Sequence, residues 1–327
     1  MTAGELASRQ SDVDPALDDL DPYTRLIADE ALRRGIAVKV LDAKECFLSL
    51  SYGGREIVAR DALSELTSAV AMVRCADKRL TRKLFAEAGL RVPRGREASS
   101  DDADADFLEQ VGELVVKPAS GEQGHGITVG VRDRDELTRA VDEARRYHPA
   151  VLLEEFVDGH DLRVIVIDHE VVAAAVRRPP RVVGNGRDSI ARLIEAQSRR
   201  RAEQTGGQST IPVDDHTRGV VAAAGYSLDD VLSEGEVLLV RRTANVHAGG
   251  TIDDVTDRVR REVADACVRA SRILRIPLVG LDLVMPAVDA REHVFIEANE
   301  RPGLLFHDPQ PTAERYMDLL FPETRGR

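Results

Sequence analysis

The 327-residue sequence predicts an α+β fold, on three observations. Apolar runs at 162–167 and 170–176 are separated only by Asp168-His169, the spacing of an antiparallel hairpin. Helical patterns are mixed among such runs at 24–34, 77–88, 134–147, 189–204, 256–273 and 312–320. A glycine-rich segment, Gly121-Glu122-Gln123-Gly124-His125-Gly126, joins one strand pattern (114–118) to another (127–131).

Composition narrows the function classes. The chain is 43% hydrophobic and 31% charged, enough for a sizeable core under a polar surface. Its formal net charge of −12 repels nucleic-acid backbones and anionic lipid. Aromatic residues make up 4% and Trp is absent, which disfavours base-stacking platforms. No apolar run approaches a membrane span, and the first residues lack the apolar stretch of a signal peptide. Cys46, Cys75 and Cys267 have no metal-ligand spacing and read as thiols in a reducing cytoplasm. The expected location is therefore cytoplasmic, with no nucleic acid and no membrane as partner.

Along the chain, residues 1–20 read as a flexible acidic lead-in. A helix at 24–34 stops at Gly35, and a strand at 36–41 follows, giving an α–β entry unit. Tyr52-Gly53-Gly54 marks a hairpin. Asp77 caps the next helix and Gly89 ends it. The acidic run at 101–106 is a solvated loop or helix start. Strands at 151–156, 278–285 and 293–298 complete the pattern, and residues 179–240 are less regular.

The glycine segment is the first chemical signal. Glycine lets backbone N–H groups approach phosphate oxygens. A Rossmann or Walker A loop leads into a helix, whereas this one leads into a strand. It therefore reads either as a flap over phosphates, with Lys117 at its base, or as an ordinary hairpin turn beside a surface lysine. The stretch Glu154-Glu155-Phe156-Val157-Asp158-Gly159 can bend and offer backbone groups to an adenine edge, with Asp161 near a ribose; an edge strand with solvated acids is the alternative.

The second signal is a carboxylate set. Glu297 and Asn299 stand at i and i+2, on one face of a strand, and Asp282 lies in the strand before. Paired antiparallel, the strands converge three oxygen donors of the kind Mg²⁺ takes. A buried carboxylate satisfied by Arg301 is the alternative. Arg177 and Arg178 suit a carboxylate or phosphate by their bidentate geometry, or form an exposed pair.

Taken in order, Asp77-Lys78, Val116-Lys117-Pro118, the glycine flap, Glu154-Glu155-Phe156-Val157, Asp161, Gly280-Leu281-Asp282 and Glu297-Ala298-Asn299 resemble the ATP-grasp superfamily. The resemblance covers 75–305 and implies the ATP-grasp fold, two α+β lobes gripping ATP, behind a small α/β pre-grasp domain. It divides the chain into a segment 1–20, a pre-grasp domain 21–74 and a grasp domain 75–327, with the flap subdomain about 112–160. It implies ATP contacts from Lys78, Lys117, Gly121, Gln123, Gly124, Gly126, Glu154, Glu155, Val157 and Asp161. It also implies Mg²⁺ (or Mn²⁺) on Asp282, Glu297 and Asn299, with Arg241 and Asn245 before a loop at the phosphate and acceptor sites; Arg177 and Arg178, after the hairpin, are expected to face the lobe where the acyl phosphate forms. The segment 241–256 is similar to cyanophycin synthetases and N-acetylglutaminylglutamine synthetases, and the flap, 172–179 and 308–315 favour the second. That likeness implies a carboxylate–amine ligase acting on amino-acid or dipeptide substrates through an acyl phosphate. It also raises polymer or peptide extension, a non-catalytic ATP-binding module, a homodimer, and an acetyltransferase acting in trans.

Overall fold

The computed structural model of the chain describes residues 14–99, 101–121 and 125–326. Asp14 caps a 3-10 turn, Pro15–Asp19, whose Leu17 is buried, so residues 14–20 are ordered where a flexible lead-in was expected. Residues 1–13 lie outside the described residues. Asp21 caps α1 (Pro22–Arg33), accepting from the amides of Tyr23 and Thr24 at 2.7 and 3.2 Å. Cys46 Sγ donates to the same carboxylate at 2.8 Å, which with burial pushes the thiol up to about 12. Strands β1 (Ala37–Asp42), β2 (Phe47–Tyr52), β3 (Arg55–Arg60) and β4 (Leu63–Ser64) form an antiparallel meander in sequence order.

Helices α2 (Ala69–Ala76) and α3 (Lys78–Glu87) follow, with Asp77 capping the second. Next come β5 (Gly95–Glu97), α4 (Asp101–Val111), β6 (Leu114–Pro118), β7 (Thr128–Val131), α5 (Arg134–Arg145) and β8 (Val151–Glu155). Their sheet has the order β5-β8-β6-β7. The sheet thus takes in β5, and α4 packs on it, both before the stretch 112–160 expected for the flap. Leu114, Val116 and Leu153 pack against Leu108, Leu137, Ala140 and Ala144 of the two helices. The alternate residues Val115, Lys117 and Glu154 face the opposite way, into a cleft.

The central sheet, β13-β10-β9-β14-β15, is built from β9 (His160–Ile167), β10 (Glu170–Arg178), β13 (Thr251–Asp254), β14 (Leu278–Met285) and β15 (Val294–Asn299). Both faces of β9 are covered. Leu162, Val164 and Val166 pack with α2, α3 and α8 (Arg261–Leu274). Ile165 and Ile167 pack with α1, β2 and α9 (Thr312–Leu320). The N-terminal unit therefore shares its core with the central sheet.

The less regular stretch has its own core. β11 (Arg181–Val183) pairs with β12 (Val237–Leu239), and α6 (Ile190–Gln204) and α7 (Asp215–Ala223) pack on them through Ile190, Ile194, Val221 and Leu238. Helix α7 has no counterpart among the expected elements; it is one short helix with Gly219 inside, a weak periodic signal. The single helix expected over 256–273 divides into a 3-10 turn, Thr256–Arg258, and α8, because Val259 and Arg260 take extended backbone.

Candidate active site

A cleft of about 960 Å³ lies between the flap sheet and the central sheet. It opens where the N-terminal unit stops covering one face of the central sheet. That face carries Ile165 and Ile167 at its covered end and Asp161 and Arg163 at its open end, all at period two on β9.

Strand register sets the floor. Arg163 is opposite Asp282, and Asp282 is opposite Glu297; Asp161 is opposite Arg177; Gly280 is opposite Asn299. Opposite charges on neighbouring strands attract across a sheet. Arg163 Nε lies 2.7 Å from Asp282 Oδ1, and Arg177 reaches Asp161 at 2.7 Å and Asp282 at 3.1 Å. Burial works against the charge on Arg177, but Asp282 and Asp161 outweigh it and hold the guanidinium more firmly charged than usual. Gly280 makes room for this row, since a Cβ there would lie 2.5 Å from Arg163 Nη1 and 2.8 Å from Pro302 Cβ.

Two lysines close the cleft from the α3 and flap sides. Lys78 Nζ contacts Glu297 at 2.7 Å and the Gly121 carbonyl at 2.9 Å, tying the start of the flap to β15. Lys117 pairs with Glu154 at 2.7 Å, both side chains 4% exposed. The Glu154 carboxylate, expected at the adenine hinge, is thus engaged by Lys117. Glu155 is held by Arg94, at 2.5 Å to its Nε. The amides of Glu155 and Phe156 bond to the carbonyls of Arg94 and Glu113. Val157 of this hinge lines the cleft beside the apolar side chains of Val115, Ile127 and Val129. The bend after it needs glycine: Gly159 has φ +152°, and a Cβ there would lie 2.5 Å from the Met285 carbonyl.

The three proposed metal donors fit an oxygen-preferring cation. Asp282 Oδ1 is buried and, despite its ion-pair contact with Arg163, receives no hydrogen bond, leaving a lone pair for a further partner. Glu297 and Asn299 reach the cleft from the same face of β15. Hard oxygen donors in this arrangement suit Mg²⁺.

The remaining sequence-derived residues divide. Gly121 and Asn245 line the cleft, and the Asn245 Oδ1 accepts from the His247 amide at 2.9 Å. Gly126 is at φ +70°, at the far side of the glycine turn. Gln123 and Gly124 lie outside the described residues. Arg178 lines the cleft but pairs with Asp253 at 2.8 Å. Arg241 is not brought to the cleft: it reaches Asp214 at 2.7 Å and Thr217 Oγ1 at 2.8 Å, at the N-terminus of α7. Its neighbour Arg242 lines the cleft instead and touches the flap at the Val129 carbonyl, 3.4 Å away. Alternation along the chain puts these two arginines on opposite sides. Sequence reasoning also missed Arg163, although Asp161-x-Arg163 at period two carried the signal, and missed Tyr23 and His247, which meet only through the tertiary fold.

Flap, hinge and charged floor enclose one cleft. Residues 75–186 match the family described as "RimK-like ATP-grasp domain". The cyanophycin synthetase of Trichormus variabilis is 33% identical over 94% of this chain and 36% of its own length. The glutathione biosynthesis bifunctional protein GshAB of Clostridium perfringens is 27% identical over 93% of this chain and 41% of its own. A solved bifunctional glutathione synthetase from Pasteurella multocida superposes with a TM-score of 0.66 at 23% identity, over 94% of this chain and 44% of that one. Residues 75–186 thus match an ATP-grasp domain, and the chain has the fold of the solved glutathione synthetase. It spans well under half the length of these relatives. They do not bring out a nearer likeness to N-acetylglutaminylglutamine synthetases, which stays with the segments quoted above.

Proposed function

We propose that the chain is an ATP-dependent carboxylate–amine ligase that forms an amide bond through an acyl phosphate. The observation that carries this reading is the facing of two surfaces across one cleft. On one side are Gly121 and Lys117 of the flap; on the other are Asp282, Glu297 and Asn299, with Arg163, Arg177 and Lys78 among them.

A substrate carboxylate oxygen attacks the γ-phosphorus; the new O–P bond forms as the bond to the ADP oxygen breaks. Two unit anions about 4 Å apart repel by roughly 4 kcal/mol at an effective dielectric of about 20. Arg177 and Arg163 are already oriented by carboxylates, so they offer charge with little reorganisation. Asp282, Glu297 and Asn299 would hold Mg²⁺, or Mn²⁺ in its place, which would supply positive charge to the phosphoryl oxygens. Lys78 holds the flap start to β15 through Gly121, which keeps water from the acyl phosphate until an amine attacks. No side-chain nucleophile takes part; positioning and electrostatics carry the step.

The substrates we propose are an N-acetylated glutamine and glutamine, in a single addition. A second reading is extension of a peptide or polymer, favoured by the 33% identity to a cyanophycin synthetase. The test incubates the protein with ATP, Mg²⁺, N-acetylglutamine and glutamine, measures ADP, and weighs the products by mass spectrometry. One product of one added residue supports dipeptide synthesis, and a ladder supports extension. ATP binding without ADP from any acid and amine pair would leave a non-catalytic ATP-binding module.

A further inference from the structure

His247 stands in the cleft wall on the loop after Asn245, and it is oriented in a particular protonation form. Its Nδ1 lies 3.0 Å from the Gln208 carbonyl, an oxygen that only accepts. Nδ1 therefore carries the proton of the neutral ring, and Nε2 carries the lone pair. Nε2 faces the Tyr23 hydroxyl at 3.4 Å, a long contact from the start of α1. One ring packs on both members of the pair: Phe306 lies edge-on to Tyr23, 5.5 Å between centroids, and 6.3 Å from His247. The backbone amide of His247 is held by Asn245 Oδ1 at 2.9 Å. Tyr23 packs against Gly303, where a Cβ would lie 2.9 Å from its Cε1, and Gly303 follows Asn299 on the chain leaving β15. The ring thus lies beside the chain that leaves β15 after Asn299.

We infer that His247 Nε2 is the base for the acceptor amine. This rests on the ligase reading above. An amino acid's amine is an ammonium at neutral pH and has no lone pair to attack with. Nε2 takes one proton from it, giving the free amine and an imidazolium. The amine nitrogen then forms the C–N bond as the C–O bond to the phosphoryl group breaks, and a second proton passes from nitrogen to the departing phosphate. The Tyr23 hydroxyl and the Gln208 carbonyl are the polar groups that bracket the ring on its two nitrogens. Glutamine synthesis chemistry is not needed for this step; any primary amine acceptor would use it.

Two measurements test it on the full chain. The first compares wild type and His247→Gln with ATP and N-acetylglutamine, using either hydroxylamine or glutamine as acceptor. Hydroxylamine is largely unprotonated at neutral pH and needs no base. The variant is expected to form hydroxamate within twofold of wild type, which also shows that it folds, and to lose about 10²- to 10⁴-fold in amide formation. Amide formation at the wild-type rate, with hydroxamate intact, overturns the inference and leaves the ligase reading standing. Absence of hydroxamate from the wild type overturns both. The second measurement is ¹⁵N NMR of histidine-labelled protein, with His247 assigned by the signal missing in the variant. A neutral ring protonated on Nδ1 is expected; protonation on Nε2 overturns the inference without reference to any substrate.

Discussion

At the residue scale, charge pairing governs both stability and chemistry. Lys117 and Glu154 are each 4% exposed, so neither can be rehydrated if its partner is removed. Lys117→Met is expected to cost about 3–5 kcal/mol of stability, and Lys117→Met with Glu154→Leu about as little as a well-packed apolar pair allows. Urea unfolding of the single and double variants measures both; equal losses in the two would contradict the pairing. His307 is buried at 3% exposure beside the arginine row, and burial, with the repulsion from Arg163, depresses its pKa to about 4. Its folded pKa lies below its unfolded value of 6.5, so the full stability is present above 6.5 and is lost as pH falls toward 4. The slope in that window is up to about 1.4 kcal/mol per pH unit. His307→Gln is expected to flatten it, as read from urea midpoints at pH 7 and 5. The residues legible in the sequence were those whose spacing alone brings them together: Glu297 and Asn299 on one strand face, Lys117 at the base of the flap. Arg241 was misplaced because alternation between neighbours decides which of Arg241 and Arg242 faces the cleft, and the path of α7 is invisible in the local pattern.

At the scale of elements, the strands carry the site by period two. On β9 the same face supplies core residues Ile165 and Ile167 and site residues Asp161 and Arg163. Flap strands β6 and β8 do the same with Val116 and Leu153 inward and Lys117 and Glu154 toward the cleft. Both strands and the hairpin β9–β10 could be read from the sequence, because their apolar alternation is long and their turns are short. In the insert, α6 matches the helix expected over 189–204, but α7 was not legible, since the insert holds a small core of scattered residues from 182 to 240. The hinge between the flap and the central sheet depends on Gly159. Gly159→Ala would force the backbone away from Met285, and it is expected to lower ADP release at least tenfold while ATP still binds more weakly. Calorimetric titration with ATP beside an ADP-release assay distinguishes this from simple unfolding.

For the whole molecule, the N-terminal unit, the flap unit and the central sheet meet around one cleft, and the first of these also covers the core face next to it. An α+β grasp fold was legible because the order of motifs along the chain is itself a topology: lysine, flap, hinge, carboxylate strands. The sharing of a core between the N-terminal helix and β9 was not, because long-range packing leaves no local spacing. A ligand that binds only the folded cleft stabilises it by mass action, so Mg²⁺ and ATP at about 100 times their dissociation constant are expected to add about 2.7 kcal/mol. The same addition to Asp282→Asn should add far less. The central claim is that this cleft activates a carboxylate with ATP through the β14–β15 donors. Its most direct measurement is hydroxamate trapping with ATP, Mg²⁺ and N-acetylglutamine, in wild type and in Asp282→Asn. The account expects hydroxamate and ADP in equal amounts from the wild type and a loss of about 10²- to 10³-fold in the variant; equal yields from both proteins would contradict it.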